Sequence, residues 1–336
     1  MTRKIRWGVL GAAKIAIEKV IPAMQVGEHC EVVAIASRDA ARAEQAAKKL
    51  GIAKSYGSYD ALLADPEIDA IYNPLPNHLH VPLSVQAAEA GKHVLCEKPI
   101  ALTVAEAKEL LAARNRTGVK IQEAFMVRTN LQWLGVRDLI RDGRIGKLRS
   151  VLGYFSYLNL DPRNIRNMLD IGGGAVMDIG CYPITTSRFT FEEEPTRVVA
   201  CVERDPEMKI DRLTSAILDF PSGQSIFTCS TQMVPYQRMH FFGEKGRIEV
   251  EVPFNAPNRV PCRIFVDDGS DTRGGGVQTI ELPVCDQYTL QGDAFAKAIL
   301  DDGPVPVPLE DAVKNMAVIE AVLRSGATGT WETPQS

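Results

Sequence analysis

The chain has 336 residues, more than one hydrophobic core ordinarily serves, so two domains are expected. Hydrophobic residues make up 45% of it and charged residues 24%, with a net charge of −4 and an isoelectric point near 5.8, a globular profile. A mildly acidic chain without lysine or arginine blocks argues against nucleic-acid or membrane-surface partners, and no apolar run approaches the roughly 18 residues of a membrane span.

Ile5–Leu10 is an apolar strand that begins almost at once, which leaves no room for a signal peptide and predicts a cytoplasmic protein. A glycine turn and a helix toward Gln25 follow. Glu31–Ser37 is a second strand, Ala40–Leu50 a helix stopped by Gly51, Ala70–Asn73 a short strand, Leu79–Ala90 a helix stopped by Gly91, and His93–Cys96 a further strand. Thr103 and Glu106 form a capping box that opens the next helix, carrying to about Asn115. This alternation implies right-handed crossovers and a parallel, doubly wound sheet.

After about residue 150 the pattern changes. Val198–Arg204, Leu213–Phe220, Gln224–Thr231, Met239–Phe242, Arg247–Val252, Cys262–Val266 and Val277–Leu282 are short strand candidates, separated by turns such as Pro221-Ser222-Gly223. Helices near Thr289–Leu300 and Leu309–Ser325 close the chain. The fold class is thus α/β: an N-terminal Rossmann domain over residues 1–122, then an α+β domain over 123–336 with an open, mostly antiparallel sheet. The seven cysteines (Cys30, Cys96, Cys181, Cys201, Cys229, Cys262 and Cys285) are scattered and never spaced CxxC, so they read as reduced thiols.

Four segments of the N-terminal domain carry chemistry. The glycine turn Gly11-Ala12-Ala13-Lys14-Ile15 departs from GxGxxG, with alanine at the second and third glycine positions. Gly11 still permits the tight turn, and the helix N-terminus behind it offers amides to a pyrophosphate. The second strand ends Ser37-Arg38-Asp39, where NAD-preferring folds place an acid for the ribose hydroxyl; a serine and an arginine suit a 2′-phosphate instead, which favours NADP. One residue of register would make Asp39 a ribose ligand, so NAD stays open. Asn73-Pro74-Leu75, with Asn77 and His78, follows the strand before the lysine strand and is expected to line the nicotinamide ribose; His78 and His80 lack the further donors of a metal site. His93–Cys96 then delivers Glu97-Lys98-Pro99 to the sheet's carboxyl edge, where open α/β sheets bind ligands.

The remaining constellation is Gly172-Gly173-Gly174 followed by Asp178 and Tyr182. If Ala175 onward is helical, that acid and phenol share one face, and Pro183 should bend or interrupt the helix. The plain alternative is a capping aspartate and a core tyrosine. Arg163, Asn164 and Arg166, in the loop before the glycines, are candidate substrate contacts, with surface ion pairs as the alternative.

Together the RWGVLGAA start, HVLCEKP, the Glu123–Arg128 segment, GGGAVMDIGCYP and FFGEKGRIEV resemble the Gfo/Idh/MocA family of NAD(P)-dependent oxidoreductases over nearly the whole chain. The resemblance implies that Lys98, Asp178 and Tyr182 work at the substrate carbon, with Tyr182 as acid/base, Lys98 lowering its pKa or bonding the reacting oxygen, and Asp178 orienting substrate. It adds Arg128 to the substrate contacts. Tyrosine, where many members have histidine, is similar to the dihydrodiol dehydrogenase and NADP-dependent aldose dehydrogenase branch. The expected substrate is a sugar, polyol or cyclic diol, and the expected assembly a homodimer or homotetramer through the C-terminal sheet. Family relatives that hydrolyse glycosides by transient redox steps, or that sense sugars without turnover, leave two other readings.

Overall fold

The computed structural model describes residues 3–336. The chain divides into two compact units, Met1–Thr129 with Asp286–Val313, and Asn130–Cys285 with Lys314–Ser336.

The first unit is built on strands β1 (Ile5–Leu10), β2 (Cys30–Ala36), β3 (Lys54–Tyr56), β4 (Ala70–Asn73), β5 (His93–Cys96) and β6 (Ile121–Glu123). All pair in parallel, in the order β3-β2-β1-β4-β5-β6, the doubly wound Rossmann arrangement. Helices α1 (Ile21–Gln25), α2 (Ala40–Leu50), α3 (Tyr59–Leu63), α4 (His80–Glu89) and α5 (Val104–Thr117) make the crossovers. The turn before α1 is a π-helical stretch, Ala16–Val20, in which the Ile21 amide donates to the Ala16 carbonyl. Thr103 caps α5 as its capping box predicts, with the Glu106 carboxylate taking the Leu102 amide. β3, α3 and β6, which the pattern did not reveal, are only three to five residues long.

The second unit holds α6 (Leu131–Arg141), β7 (Leu148–Leu158), α7 (Cys181–Phe191), β8 (Arg197–Arg204), β9 (Asp211–Phe220), β10 (Gly223–Ser230), β11 (Gln232–Gly243), β12 (Arg247–Val250), β13 (Arg263–Asp267) and β14 (Val277–Glu281). Their sheet runs β14-β13-β12-β11-β7-β10-β9-β8, antiparallel except that β10 and β7 are parallel. One transverse row, Val198, Leu218, Ser225, Val151, Phe241, Ile248 and Val266, is buried throughout. The neighbouring row, Val199, Ile217, Ile226, Leu152, His240, Glu249 and Phe265, is half-buried or exposed throughout. The pleat therefore gives this sheet one packed face and one open face.

Two helices follow, α8 (Gln287–Leu300) and α9 (Leu309–Thr328). The linear division at residue 122 is corrected by α8, whose Phe295 packs on Trp7 of β1 at 5.8 Å and whose Ala296 joins the same buried cluster. An apolar helix face goes where it removes most surface from water, so the chain returns to the first unit after completing the second sheet.

Candidate active site

In the first unit the sequence-predicted segments converge on one edge. The glycine turn follows β1, Ser37 and Arg38 follow β2, Asn73–His78 follows β4, and Glu97-Lys98 follows β5, all at the carboxyl ends of parallel strands. The strand order reverses between β1 and β4, the switch point at which such sheets open for a ligand.

Gly11 is in the left-handed region at φ +86°, and its amide donates to the Ala36 carbonyl at 2.7 Å. A Cβ there would come within 2.6 Å of Leu75 Cδ2, so the turn lies flat against the Leu75 loop. Ala12 is buried, Ala13 and Ile15 half-buried and Lys14 exposed. Ser37 is buried and its hydroxyl accepts the Asp39 amide, whereas Arg38 is exposed. Asp39 is the N-cap of α2, accepting the Arg42 amide at 3.2 Å. Its carboxylate is thereby turned to the helix. Arg42, which carries no motif signal, reaches the Ala12 carbonyl with Nη2 at 3.0 Å and so brings a second guanidinium to the turn.

Asn73 is fully buried and its side chain braces its own loop: it donates to the His80 carbonyl and Ser84 Oγ and accepts the Leu75 amide. Pro74 and Leu75 are buried and Asn77 and His78 half-buried, and the buried Nδ1 of His78 has no hydrogen-bond partner among the described residues. His80 spans two segments, with ring nitrogens 2.7 Å from the Leu75 and Pro99 carbonyls. Burial, with the Lys98 charge adding to it, holds its pKa down at about 4. Glu97 accepts the Tyr72 hydroxyl at 2.7 Å, and burial pushes that phenol far up. Lys98 is half-buried beside it. Arg128, expected at substrate, pairs with Asp311 at 2.9 Å.

The second unit assembles a different cluster, on the packed face of its sheet. Val176–Gly180 is a π-helical turn rather than the start of an α-helix, closed by the Cys181 amide on the Val176 carbonyl, and α7 follows. The expected bend at Pro183 is thus taken up before it: proline has no amide for the Ile179 carbonyl, and the wider turn supplies the slack. The same device precedes Pro22 in the first unit. Asp178 lies on this turn, and its Oδ2 accepts the Tyr157 hydroxyl at 2.5 Å and Arg166 Nε at 3.1 Å. The carboxylate raises the pKa of both donors, burial being the larger cause for Tyr157. Tyr182 is buried, its ring 5.8 Å from Phe155 and 5.2 Å from Phe254, and it lies within electrostatic reach of Arg166.

Arg166 is therefore brought to Asp178. Its loop neighbours are engaged locally: Arg163 pairs with Asp161 on the surface, 88% exposed, and Asn164 accepts the Arg166 amide. Tyr157 carries no signal in the sequence, since β7 was not recognised as a strand. Among the described residues no three histidine, cysteine or acidic side chains group as metal ligands, and no helix is long and apolar enough to cross a membrane.

Comparison with known proteins fits this geometry. The model of an oxidoreductase family with an NAD-binding Rossmann fold matches residues 5–125, and that of the GFO/IDH/MocA C-terminal domain matches residues 133–249. The chain belongs to the Gfo/Idh/MocA family. It is an NAD(P)-dependent oxidoreductase. It is 49% identical over 330 residues to an uncharacterized oxidoreductase of Rhizobium meliloti, covering 98% of this chain and 99% of the relative. Identity to a D-xylose 1-dehydrogenase (NADP(+)) of Haloferax volcanii is 37%, over 96% and 98% of the two chains. A 3-ketoreductase from Actinomadura kijaniata, solved with NADP and TDP-benzene, superposes with a TM-score of 0.89 at 30% identity over 96% and 98% of the two chains. That ketoreductase has also been solved with one lysine changed to alanine and with one tyrosine changed to phenylalanine. Those two positions stand 84 apart, as Lys98 and Tyr182 do.

Proposed function

We propose that the protein is an NADP-dependent dehydrogenase that interconverts a carbinol and a carbonyl carbon of a sugar, polyol or cyclic diol. The observation that carries the reading is Lys98, delivered on the turn after β5 to the carboxyl edge of a Rossmann sheet and separated from Tyr182 by the spacing found in the ketoreductase. The D-xylose dehydrogenase and the trans-dihydrodiol dehydrogenase among the relatives support that substrate range.

Gly11 to Ile15 hold the pyrophosphate at the helix N-terminus, Ser37 and Arg38 take the 2′-phosphate, and Asn77, His78 and Glu97 line the nicotinamide ribose. Asp39, committed to capping α2, leaves the ribose position to a hydroxyl and a guanidinium, which supports NADP over NAD. When bound, the nicotinamide supplies a hydride donor or acceptor at C4. Tyr182 takes the proton of the reacting hydroxyl in oxidation and returns it in reduction, a role worth roughly 10²–10⁴-fold. Lys98 supplies positive charge for the oxyanion that forms at that oxygen. Asp178, steadied by Tyr157 and Arg166, orients the substrate hydroxyls. The open face of the second sheet, with exposed Leu152 beside exposed Ile226, is the surface through which a second copy packs.

The test is reduced-nicotinamide absorbance with NADP and with NAD against D-xylose, D-glucose, myo-inositol, 1,5-anhydrofructose and a trans-dihydrodiol, in both directions. Turnover with one class, faster with NADP, is expected, and Lys98→Met and Tyr182→Phe should bind NADP yet lose at least about 10²-fold in turnover. Silence across the panel, or near-normal turnover in either variant, overturns the reading.

A further inference from the structure

We propose that Asp211 is a positioning residue for the reaction, fixing through the glycine turn the placement of Asp178 and Arg166. The inference rests on the reading of Asp178 as the group that orients substrate.

Asp211 opens β9 and is 3% exposed. Its Oδ2 accepts the Val176 amide at 2.7 Å, with the Thr214 hydroxyl at 3.5 Å. Its Oδ1 occupies the space in which a side chain on Gly174 would stand: a Cβ there falls 1.9 Å from that oxygen, and φ is +124°. Gly174 is thus shaped around the carboxylate. From Gly174 two backbone bonds lead into the substrate cluster. Its amide donates to the Arg166 carbonyl at 2.9 Å, and its carbonyl accepts the Asp178 amide at 3.0 Å. Val176, held directly, is the residue on which the π turn carrying Asp178 closes. One buried carboxylate therefore grips, through two residues, both partners of the Asp178–Arg166 pair.

An amide would spare the expense of burying a charge, but it is a weaker acceptor for the Val176 N–H and would place an NH2 group where a carboxylate oxygen now stands, at Gly174 or at Val176. The carboxylate is retained although burial raises its pKa to about 6, so that it is ionised at neutral pH against a desolvation penalty. The groups facing it are the Arg204 guanidinium across the β8–β9 pairing, the Thr214 hydroxyl, the Val176 amide and, on β10, the Cys229 thiol, which burial keeps protonated. Arg204 alone among them is cationic, and it is exposed and bonded to the Lys209 carbonyl. A charge kept where it destabilises the fold, at the anchor of the substrate-orienting turn, is the pattern of a residue held for activity.

The experiment compares Asp211→Asn and Asp211→Ala with wild type in the full chain, using NADP and the panel compound turned over fastest. A misplacement of the order of an ångström costs roughly 10²-fold, so kcat should fall about 10- to 100-fold in both variants. KM for NADP should not change, and the Asn variant should melt higher than wild type. As pH falls through about 6, Asp211 takes up a proton and wild-type kcat should decline; that acid limb should vanish in Asp211→Asn. Stability and turnover moving in opposite directions is the signature, since a merely structural residue loses both together. Wild-type kcat in either variant, or parallel loss of stability and kcat with the acid limb intact, overturns the proposal. Asp178→Asn separates the two failures: if it is inactive while the Asp211 variants are fully active, only the role of Asp211 falls, and if it is fully active the role of Asp178 falls with it.

Discussion

Replacing Tyr157 with phenylalanine removes one oxygen and leaves the ring in place. That oxygen donates to Asp178 Oδ2 at 2.5 Å from a half-buried position. A hydrogen bond to a charged acceptor contributes roughly 1.5–3 kcal/mol, which corresponds to about a 10- to 150-fold effect if it is needed to hold Asp178 in its working orientation. The second donor on the same oxygen, Arg166, is 44% exposed, so solvent screening leaves it the weaker hold. Burial and the carboxylate both push the Tyr157 phenol upward, so it remains a donor across the usable pH range and the loss should not depend on pH. Steady-state kcat/KM for the sugar or diol at saturating NADP should fall by that factor, while NADP affinity measured by fluorescence stays at the wild-type value. In an Asp178→Asn background the same change should have little further effect, because the hydroxyl acts through that carboxylate. A kcat/KM within twofold of wild type, or full additivity of the two substitutions, refutes the assignment.

Two further outcomes are expected. Arg38→Ala should lower kcat/KM with NADP by roughly tenfold or more while sparing NAD, and Ser37→Asp should invert the preference by restoring an acid at the end of β2; equal loss with both nucleotides counts against these residues as readers of the 2′-phosphate. Leu152→Lys, placed in the aliphatic row where Val199, Ile217, Ile226 and Leu152 lie side by side, should reduce the light-scattering mass from a multiple of 36.8 kDa to 36.8 kDa, and an unchanged mass excludes that face as the contact.

The first unit was readable because its signals are local. Thr103 with Glu106, Gly51 beyond its helix, and the apolar run His93–Cys96 each depend on residues a few positions apart, and each stands where the sequence places it. Asp39 shows the limit of such reading, since its capping of α2 appears only in the folded geometry. β7 fails for a different reason. It lies in the middle of the sheet between β10 and β11, and its apolar residues Leu152 and Val151 fall on opposite faces, so the run LRSVLGYFSYL lacks the polar–apolar alternation of a half-exposed strand. The return of α8 to Trp7 leaves no mark in any short window either, because it is a contact between residues 288 positions apart.

The candidate site divides along the same line. Lys98, Asp178 and Tyr182 sit in motifs whose residues adjoin, and Arg166 stood near enough to the glycines to be suspected. Tyr157 reaches Asp178 from 21 residues away and Asp211 reaches the Val176 amide from 35, and nothing near either residue in the sequence points to the turn that carries Asp178. Their energetics also run against what sequence reading looks for. Raising the Asp211 pKa from 3.8 to about 6 means that its carboxylate costs roughly 3 kcal/mol when ionised in the fold. By linkage, a carboxyl whose folded pKa is raised favours the folded state fully below its unfolded pKa, and that stability is lost as pH rises through about 6. At neutral pH Asp211 therefore opposes folding. Patterning and propensity identify residues that help a chain fold, so a side chain that works against the fold for the sake of a neighbouring carboxylate becomes visible only when the packed face of the sheet is assembled around it.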